Sequence, residues 1–503
     1  MMIHGDRRSD AAGRQRTARR FAVGRRGRLA ASSASDGYPD PPFAPLLSSR
    51  PLRPITATSG TGFGPWMPRF AAALLALPLL LAGCGDHARL NIAETTGPTP
   101  QIPPPASMLL PTVHVARATS WPAGATPTPA PGLAVAPFAT GLQHPRWLLT
   151  LPNGDVLVAE TAAPPPEPGF EDHSIKGYFF RLFQEKAGSA VPSPNRITLL
   201  RDADGDGVAE VQTPYLTGLT SPFGMALVGR TLYVANADAL VAYPYDPGAT
   251  SITTAPRTIT RLPAGRNHHW TKSLVASPDG SRLYVGVGSN SNIVEHGMAE
   301  EEERAAVWEI DPATGSHRLF GTGLRNPVGL AFRPGTNELY VVVNERDELG
   351  SDLVPDYLTR IQDGGFYGWP WSYFGQHVDD RMEPPRPDMV ARAIVPDFAL
   401  GPHVAALGLT FADGARLGPS FASGAFVGEH GSWNRRPFSG YRVVFVPFVN
   451  GRPTGQPIDV LTGFIGPRNQ AMGRPVGVQI ARDGALLVAD DVGNTVWRVT
   501  AAR

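Results

Sequence analysis

Residues 267–288 read NHHWTKSLVASPDGSRLYVGVG. A polar entry, Asn267-His268-His269, leads into a short apolar run, Ser273 to Ala276. A Pro-Asp-Gly turn follows, and then Leu283 to Val287, rich in β-branched and aromatic residues. Asp-Gly between two such runs is a strong short-range hairpin signal. The same order returns on both sides of it. At 141 the chain reads GLQHPRWLLTLPNGDVLVAE, at 218 GLTSPFGMALVGRTLYVAN, and at 323 GLRNPVGLAFRPGTNELYVVVNE. At 405 it reads AALGLTFADGARLGPSFASGAFVGEH and at 473 GRPVGVQIARDGALLVADD. The six copies start about 66 residues apart on average.

Further strand candidates fill the gaps: RITLL at 196, ALVAYPY at 239, AAVWEI at 305, YRVVFVPF at 441 and TVWRVT at 495. Helical periodicity is confined to a short piece near 299–306. Short antiparallel sheets repeated around an axis make a propeller. The expected fold is therefore all-β, a six-bladed β-propeller of four-stranded antiparallel sheets over residues 133–503. The last strand ends beside the C-terminus, so pairing it with the opposite end of the chain would close the ring and leave no exposed edge. The competing reading is a β-sandwich with coincidental hairpins.

Composition agrees. The chain has 503 residues, 42% hydrophobic and 18% charged, with 55 Gly and 52 Pro. That excludes a peptide and global disorder, and suits many turns between short strands. One cysteine excludes a disulfide framework and a Cys-rich zinc site. The formal net charge of +1 hides an asymmetry: residues 1–66 carry 11 Arg against 4 Asp, whereas from Cys84 onward 33 Lys and Arg face 40 Asp and Glu. A mildly acidic body has no nucleic-acid footprint. Only three lysines occur, Lys176, Lys186 and Lys272.

Met67-Pro68-Arg69 is followed by an apolar run, Phe70 to Ala82, within a segment ending Leu81-Ala82-Gly83-Cys84. A basic start, a dozen apolar residues and small residues before the cut describe a secretory signal. The run is short for a spanning helix, which needs about 20 residues. Leu-Ala-Gly-Cys resembles the bacterial lipobox, with Cys84 lipidated as the mature N-terminus; a buried helix with a chance cysteine is the alternative. Residues 67–83 are then a lipoprotein signal peptide, and 1–66 a misassigned upstream frame or a disordered basic tail. Residues 84–132, with GPTPQIPPP and PAGATPTPAPG, read as the lipidated N-terminus and a Pro-rich tether. The expected location is the cell envelope, lipid-anchored and facing the periplasm. Gly85 after the cysteine favours the outer membrane, by resemblance to bacterial sorting rules.

In a propeller, residues entering the innermost strands converge on one mouth of the central channel. Here these are His144, Arg146, Phe223, His268, His269, Arg325, Asn326 and Arg474. Residues 267–292, GLRNPVGLAF, VNERDELGSDLVPDYLTRIQDGGFYGWPWSY, GEHGSWNRRPFSGYRVVFVPF and GRPVGVQIARDGALLVADDVGNTVWRV together resemble the sorbosone dehydrogenase family. This is the lipoprotein branch of the pyrroloquinoline quinone (PQQ)-dependent glucose and sorbosone dehydrogenases. The likeness covers about 115–503.

The resemblance implies a six-bladed propeller with PQQ and calcium at the channel mouth. His269 matches the general base that takes a hydroxyl proton while hydride passes from the sugar to the quinone; an imidazole suits that task near neutral pH. The family's soluble glucose enzymes place an Asp where Ser289 stands, which leaves Glu295 as a candidate to orient His269. Arg325 and Asn326 match the Arg-Asn pair against the cofactor, where a guanidinium stabilises developing oxyanion charge. Arg474 and Arg435 are candidates for the cofactor's carboxylates, and His430 and Trp433 for its flat faces or rim. The calcium loop matches NERDELGSD, with main-chain oxygens near Arg346 and Asp347 as the ligands, Arg346 also lying against the cofactor. A second, structural site is expected at Asp356 with carbonyls of Tyr367 and Tyr373.

Independently of the resemblance, DADGDGVAE places Asp202, Asp204, Asp206 and Glu210 at alternating positions with Gly at the bend, a pattern that suits calcium. Thr213 stands where an EF-hand needs Glu, so this is a loop site or an acidic surface turn. The implied partners are a small sugar, a respiratory electron acceptor (cytochrome or quinone) and a membrane reached by the lipid anchor. The other readings are a lactonase-type calcium-binding hydrolase, which would want Glu and Asp at the blade entries, and a non-catalytic envelope propeller. Sugar specificity falls to loops such as 163–195 and 368–403.

Overall fold

The computed structural model describes residues 86–106 and 112–502. The upstream segment, the signal peptide and Cys84 lie outside the described residues. Six blades, each with a four-stranded antiparallel core, make the propeller; blades 3 and 5 carry short additional strands. Blade 1 holds strands Pro145–Thr150, Val156–Glu160, Arg196–Arg201 and Val211–Leu216, and blade 2 runs from Met225–Val228 to Arg257–Arg261. Blade 3 runs from Leu274–Ala276 to His317–Thr322, blade 4 from Pro327–Phe332 to Phe398–Pro402, and blade 5 from Ala406–Phe411 to Ile458–Thr462. Blade 6 takes Pro475–Ile480, Leu486–Asp490 and Thr495–Ala501 from the C-terminal end and its outer strand, Leu133–Thr140, from the N-terminal end. That pairing closes the ring as expected. Each repeated hairpin is the inner pair of a blade.

Glycines on the inner strands let neighbouring blades approach. A Cβ at Gly408 would meet Val476 O at 2.1 Å, and one at Gly286 would meet Pro327 O at 2.4 Å. Between blades the core is apolar: Val285, Val287 and Trp308 pack with Leu240 and Ala242, and Leu358 and Leu400 with Val427 and Val444.

Two elements depart from the sequence reading. A 13-residue helix, α1 (Ile175–Ala187), stands in the blade 1 insertion, capped by Ser174, whose side chain accepts from Gly177 N, and ended by Gly188 at φ +75°. Its apolar residues face outward, so it lacks the inward stripe that flags a globular helix. The described part of the 84–132 segment is not a free tether. Arg89 N and Leu90 N donate to Asp352, Arg117–Ala118 pairs with Gln470–Ala471, and Thr128–Pro129 adds to blade 5. Trp121 donates to Asp490 at 2.7 Å, and Val115 and Ala116 are buried. Proline-rich chain needs few backbone partners, and here it finds them along the blade edges.

Candidate active site at the channel mouth

Antiparallel pairing puts the start of each first strand and the end of each second strand at the same end of the ring. The mouth is therefore lined by both sets of residues. The entry set includes His144, His269, Arg325, Asn326 and Arg474. The exit set includes Ser289 to Asn292, Asn344 to Asp347, His430 to Trp433 and Asp491.

His269 is oriented by Ser289, not by Glu295. Its Nδ1 lies 2.8 Å from the Ser289 carbonyl and 3.1 Å from Ser289 Oγ, which itself donates to Ser291 O at 2.7 Å. A carbonyl only accepts, so Nδ1 carries the proton and Nε2 keeps its lone pair. Burial, then the charge of Arg325, holds the pKa of His269 well below the ordinary imidazole value. The imidazole is thus neutral and basic at Nε2 at neutral pH. Glu295 instead accepts from Ile293 N. His268 is exposed at the mouth and stacks on Phe180 of α1.

Arg325 and Asn326 come to the same place. A Cβ at Gly288 would meet Asn326 Oδ1 at 2.4 Å and His269 Cβ at 2.5 Å, so only glycine lets these two side chains flank the strand end. The Arg325 guanidinium is largely engaged by its own loops. Nε donates to Asn292 O, Nη2 to Asn292 Oδ1 at 3.1 Å, and Nη1 to Asn344 O and to Glu345 O at 2.7 Å. One N–H remains, on the side of Asp347, 3.8 Å away. Asn326 Oδ1 is buried without a partner.

Arg474 is held differently. Nη2 donates to the Tyr441 hydroxyl at 2.9 Å, and the guanidinium lies over the Trp433 and Tyr441 rings. Its Nε and Nη1 are buried with no partner. Three N–H donors of a buried cation without acceptors are costly, unless an anionic ligand supplies the oxygens. Beside it, Asp491 accepts from Arg146 at 2.6 Å and His430 at 2.9 Å, with His144 at 3.6 Å. Burial acts to raise its pKa, but these partners hold it well below the carboxylate range, and burial pushes His430 down to about 4.

A second charged group flanks Arg325. His403 faces Asp347 Oδ1 through Nδ1 at 3.1 Å and Gly350 O through Nε2 at 3.0 Å. Both partners accept, so both nitrogens carry protons and His403 is a buried cation. Burial opposes that charge, yet the Asp347 contact raises its pKa above the ordinary value. The mouth therefore gathers several cations around Asp347 and Asp491, both already engaged.

Other expected residues fall elsewhere. The Arg346 side chain does not reach a ligand: it donates to Glu345, to Pro370 O at 2.8 Å, to Asp379 at 3.0 Å and to Ser372 O at 2.6 Å, and is fully buried. Those carboxylates and carbonyls need a cation, and this need turns it away from the mouth. Its main-chain carbonyl, by contrast, accepts no hydrogen bond from a described residue. Arg435 turns toward Asp352 and the 88–92 segment, lining a cavity there, and donates to Pro437 O.

Asp356 is buried and already engaged by the backbone. Its oxygens accept from Glu345 N and Ala406 N, and burial raises its pKa to about 7. The other ligands expected there are the main-chain carbonyls of Tyr367 and Tyr373, and both residues are buried. Among the described residues the one cluster of three or more acidic or histidine ligand groups is Asp202, Asp204, Asp206 and Glu210, whose ligand atoms lie within 4.8 Å of one another. It follows the strand Arg196–Arg201 and so sits at the ring end opposite the mouth.

Sequence reading missed Ser289 as the His269 partner, and missed Asn292, His403, Asp491 and Phe180. Four of these five lie at second-strand exits or in the helix above them, positions that the hairpin register itself points to. His403 enters blade 5 just ahead of its first strand.

Fold and mouth together define a six-bladed β-propeller with a cation-rich centre built around a neutral, oriented imidazole. The chain belongs to the TrAA12-like family, whose model matches residues 196–357 and 388–502. An uncharacterized protein of Borreliella burgdorferi is 29% identical over 221 residues, 44% of this chain and 57% of its own length. The pyrroloquinoline quinone-dependent pyranose dehydrogenase of Coprinopsis cinerea is 25% identical over 428 residues, 73% of this chain and 53% of that protein. The chain thus spans little more than half the length of these curated relatives. The iodide structure of the Trichoderma reesei carbohydrate-active enzyme of family AA12 gives a TM-score of 0.61 at 19% identity, covering 78% of this chain and 99% of that one. The holo pyranose dehydrogenase PQQ domain of Coprinopsis cinerea gives 0.58 at 22% identity, covering 77% and 100%. These two likenesses are likenesses of fold.

Proposed function

We propose that the protein is a PQQ- and calcium-dependent dehydrogenase of pyranoses, other aldoses or sorbosone-like sugars, lipid-anchored at Cys84 in the bacterial envelope. The observation that carries this reading is the pairing at one mouth of a base-competent His269 Nε2 with a buried Arg474 holding three unpartnered N–H donors. The residues present fit a flat, polycarboxylate cofactor. Arg474 supplies charge-assisted donors, Trp433 an aromatic face, and Asn326 Oδ1 an unpaired acceptor. PQQ, when bound, supplies a hydride acceptor.

The chain's own residues do the rest. His269 Nε2 takes the proton of the sugar hydroxyl while Ser289 holds the ring's other nitrogen. Arg325 and His403 keep the mouth positive where negative charge develops. The open Arg346 carbonyl is the oxygen we assign to calcium, with a further, structural cation at Asp202, Asp204, Asp206 and Glu210. The sugar's electrons leave to a respiratory acceptor. A hydrolase is disfavoured because Asp347 and Asp491 are each engaged by cations.

The test is reconstitution of metal-stripped protein with PQQ and calcium, followed by a sugar panel and an electron-accepting dye. Dye reduction that needs both additions and is lost in His269→Ala supports the reading. Lactone hydrolysis without PQQ, or a protein that retains no cofactor absorbance, contradicts it.

A further inference from the structure

Helix α1 (Ile175–Ala187) turns an apolar face outward. Ile175 is 79% exposed, Tyr178 55%, Phe179 49% and Leu182 39%. At 100° per residue these four and Lys186 share one side. The other side is seated on the protein: Gly177 and Ala187 are buried, and Gly188 abuts Ala118. Phe180 meets His268 and Trp433, each at 6.2 Å, which places the helix over the channel mouth. No described element covers the outer face, and its large side chains add nothing to the core beneath.

The surrounding charge indicates what covers it. On the helix itself Lys176 and Arg181 flank the apolar stripe and Lys186 ends it, against one acid, Glu185. Lys176 is paired with Glu348, and Glu171 and Asp172 stand just ahead of the first turn, so the cations left for a surface are Arg181 and Lys186. Two of the chain's three lysines therefore stand on this helix, while from Cys84 onward the chain has more acids than bases. An apolar face rimmed by cations on an acidic body suits the headgroup region of an anionic bilayer.

The N-terminal segment points the same way. Asp86 accepts from Ser351 N at 2.7 Å and, through its carbonyl, from Ser351 Oγ at 2.8 Å. Three residues earlier in that loop Glu348 pairs with Lys176 of α1 at 3.3 Å. Asp86 and α1 thus flank one loop at the mouth. Cys84 stands two residues before Asp86 in the sequence.

We propose that α1 docks on an anionic phospholipid surface, so that the channel-mouth end of the propeller lies against the membrane. The inference uses the proposed anchor only for geometry, since an acyl chain at Cys84 would bring the same rim to the bilayer.

The test places a single environment-sensitive thiol label on the full chain carrying Cys84→Ser. One variant has Phe179→Cys. The other has Val449→Cys, 60% exposed at the ring end away from the mouth. Each is mixed with phosphatidylethanolamine–phosphatidylglycerol vesicles bearing a nitroxide on the upper acyl chain. The label at 179 should lose about half or more of its fluorescence, several-fold less with phosphatidylcholine alone, and the label at 449 should not respond. Equal behaviour of the two labels, or no quenching at 179, overturns the proposal; a protein partner for α1 would give that second result. The mass of the mature N-terminal peptide of the unaltered protein tests the anchor separately, so that either reading can fail alone.

Discussion

His269 shows how one residue's chemistry is fixed by its neighbours. The Ser289 carbonyl selects the tautomer, and burial with Arg325 keeps the ring neutral. A base with a lowered pKa is available at every pH above that pKa. The acid limb of kcat/KM should therefore fall below the ordinary imidazole value of about 6.5, with a plateau from there to about pH 8. A pH–rate profile with its acid limb at 6.5 or above would contradict this. Gly288→Ala should lower kcat about 100-fold or more while leaving the fold intact, because the added methyl displaces His269 and Asn326 by most of an ångström; steady-state kinetics with a circular dichroism spectrum checks it. At this scale the sequence showed a His–His pair heading a strand, yet could not show its orienting group. Ser289 Oγ and its own backbone carbonyl orient the ring, and a carbonyl has no side-chain signature. Arg325 was legible as an arginine at the mouth, but its engagement by Asn292, Asn344 and Glu345 depends on three loops meeting.

Elements built on Asp-Gly turns and alternating apolar residues could be read directly, and all six inner hairpins stand where the repeats put them. The fourth strands could not. Arg257–Arg261 is exposed or half-buried throughout, and His317–Thr322 is buried at only one position, so neither carries an alternating pattern. The loop 344–354 owes its shape to partners distant in sequence. Arg346 ties it to Pro370, Ser372 and Asp379, and Asp356 caps Glu345 N and Ala406 N. Arg346→Ala strands the buried carboxylate of Glu345, leaves Asp379 with Arg381 alone, and should cost about 3–5 kcal/mol of stability. Denaturant titration reads this, and a loss under about 1 kcal/mol would mean that water replaces the guanidinium freely.

Across the whole molecule, function rests on ring closure. Leu133–Thr140 pairs with Thr495–Ala501, so the first and last strands of the propeller lock blade 6 and hold blades 5 and 1 at the spacing that gathers Arg474, Asp491 and Arg146. Removing residues 495–503 should abolish cooperative unfolding as well as cofactor binding; a single sharp thermal transition in that truncation would contradict the closure argument. The repeat made the ring legible from sequence, and the resemblance named its centre. The Pro-rich segment that pins itself along blades 5 and 6 was hidden, because its contacts are with strands more than 300 residues away.

The most direct measurement is a calorimetric titration of PQQ, with calcium present, into the protein and its Arg474→Ala and Arg435→Ala variants. The account predicts one site per chain, weakened about 30- to 100-fold by Arg474→Ala and left nearly unchanged by Arg435→Ala, whose guanidinium faces Asp352. Equal affinity in the Arg474→Ala variant and the unaltered protein would contradict it.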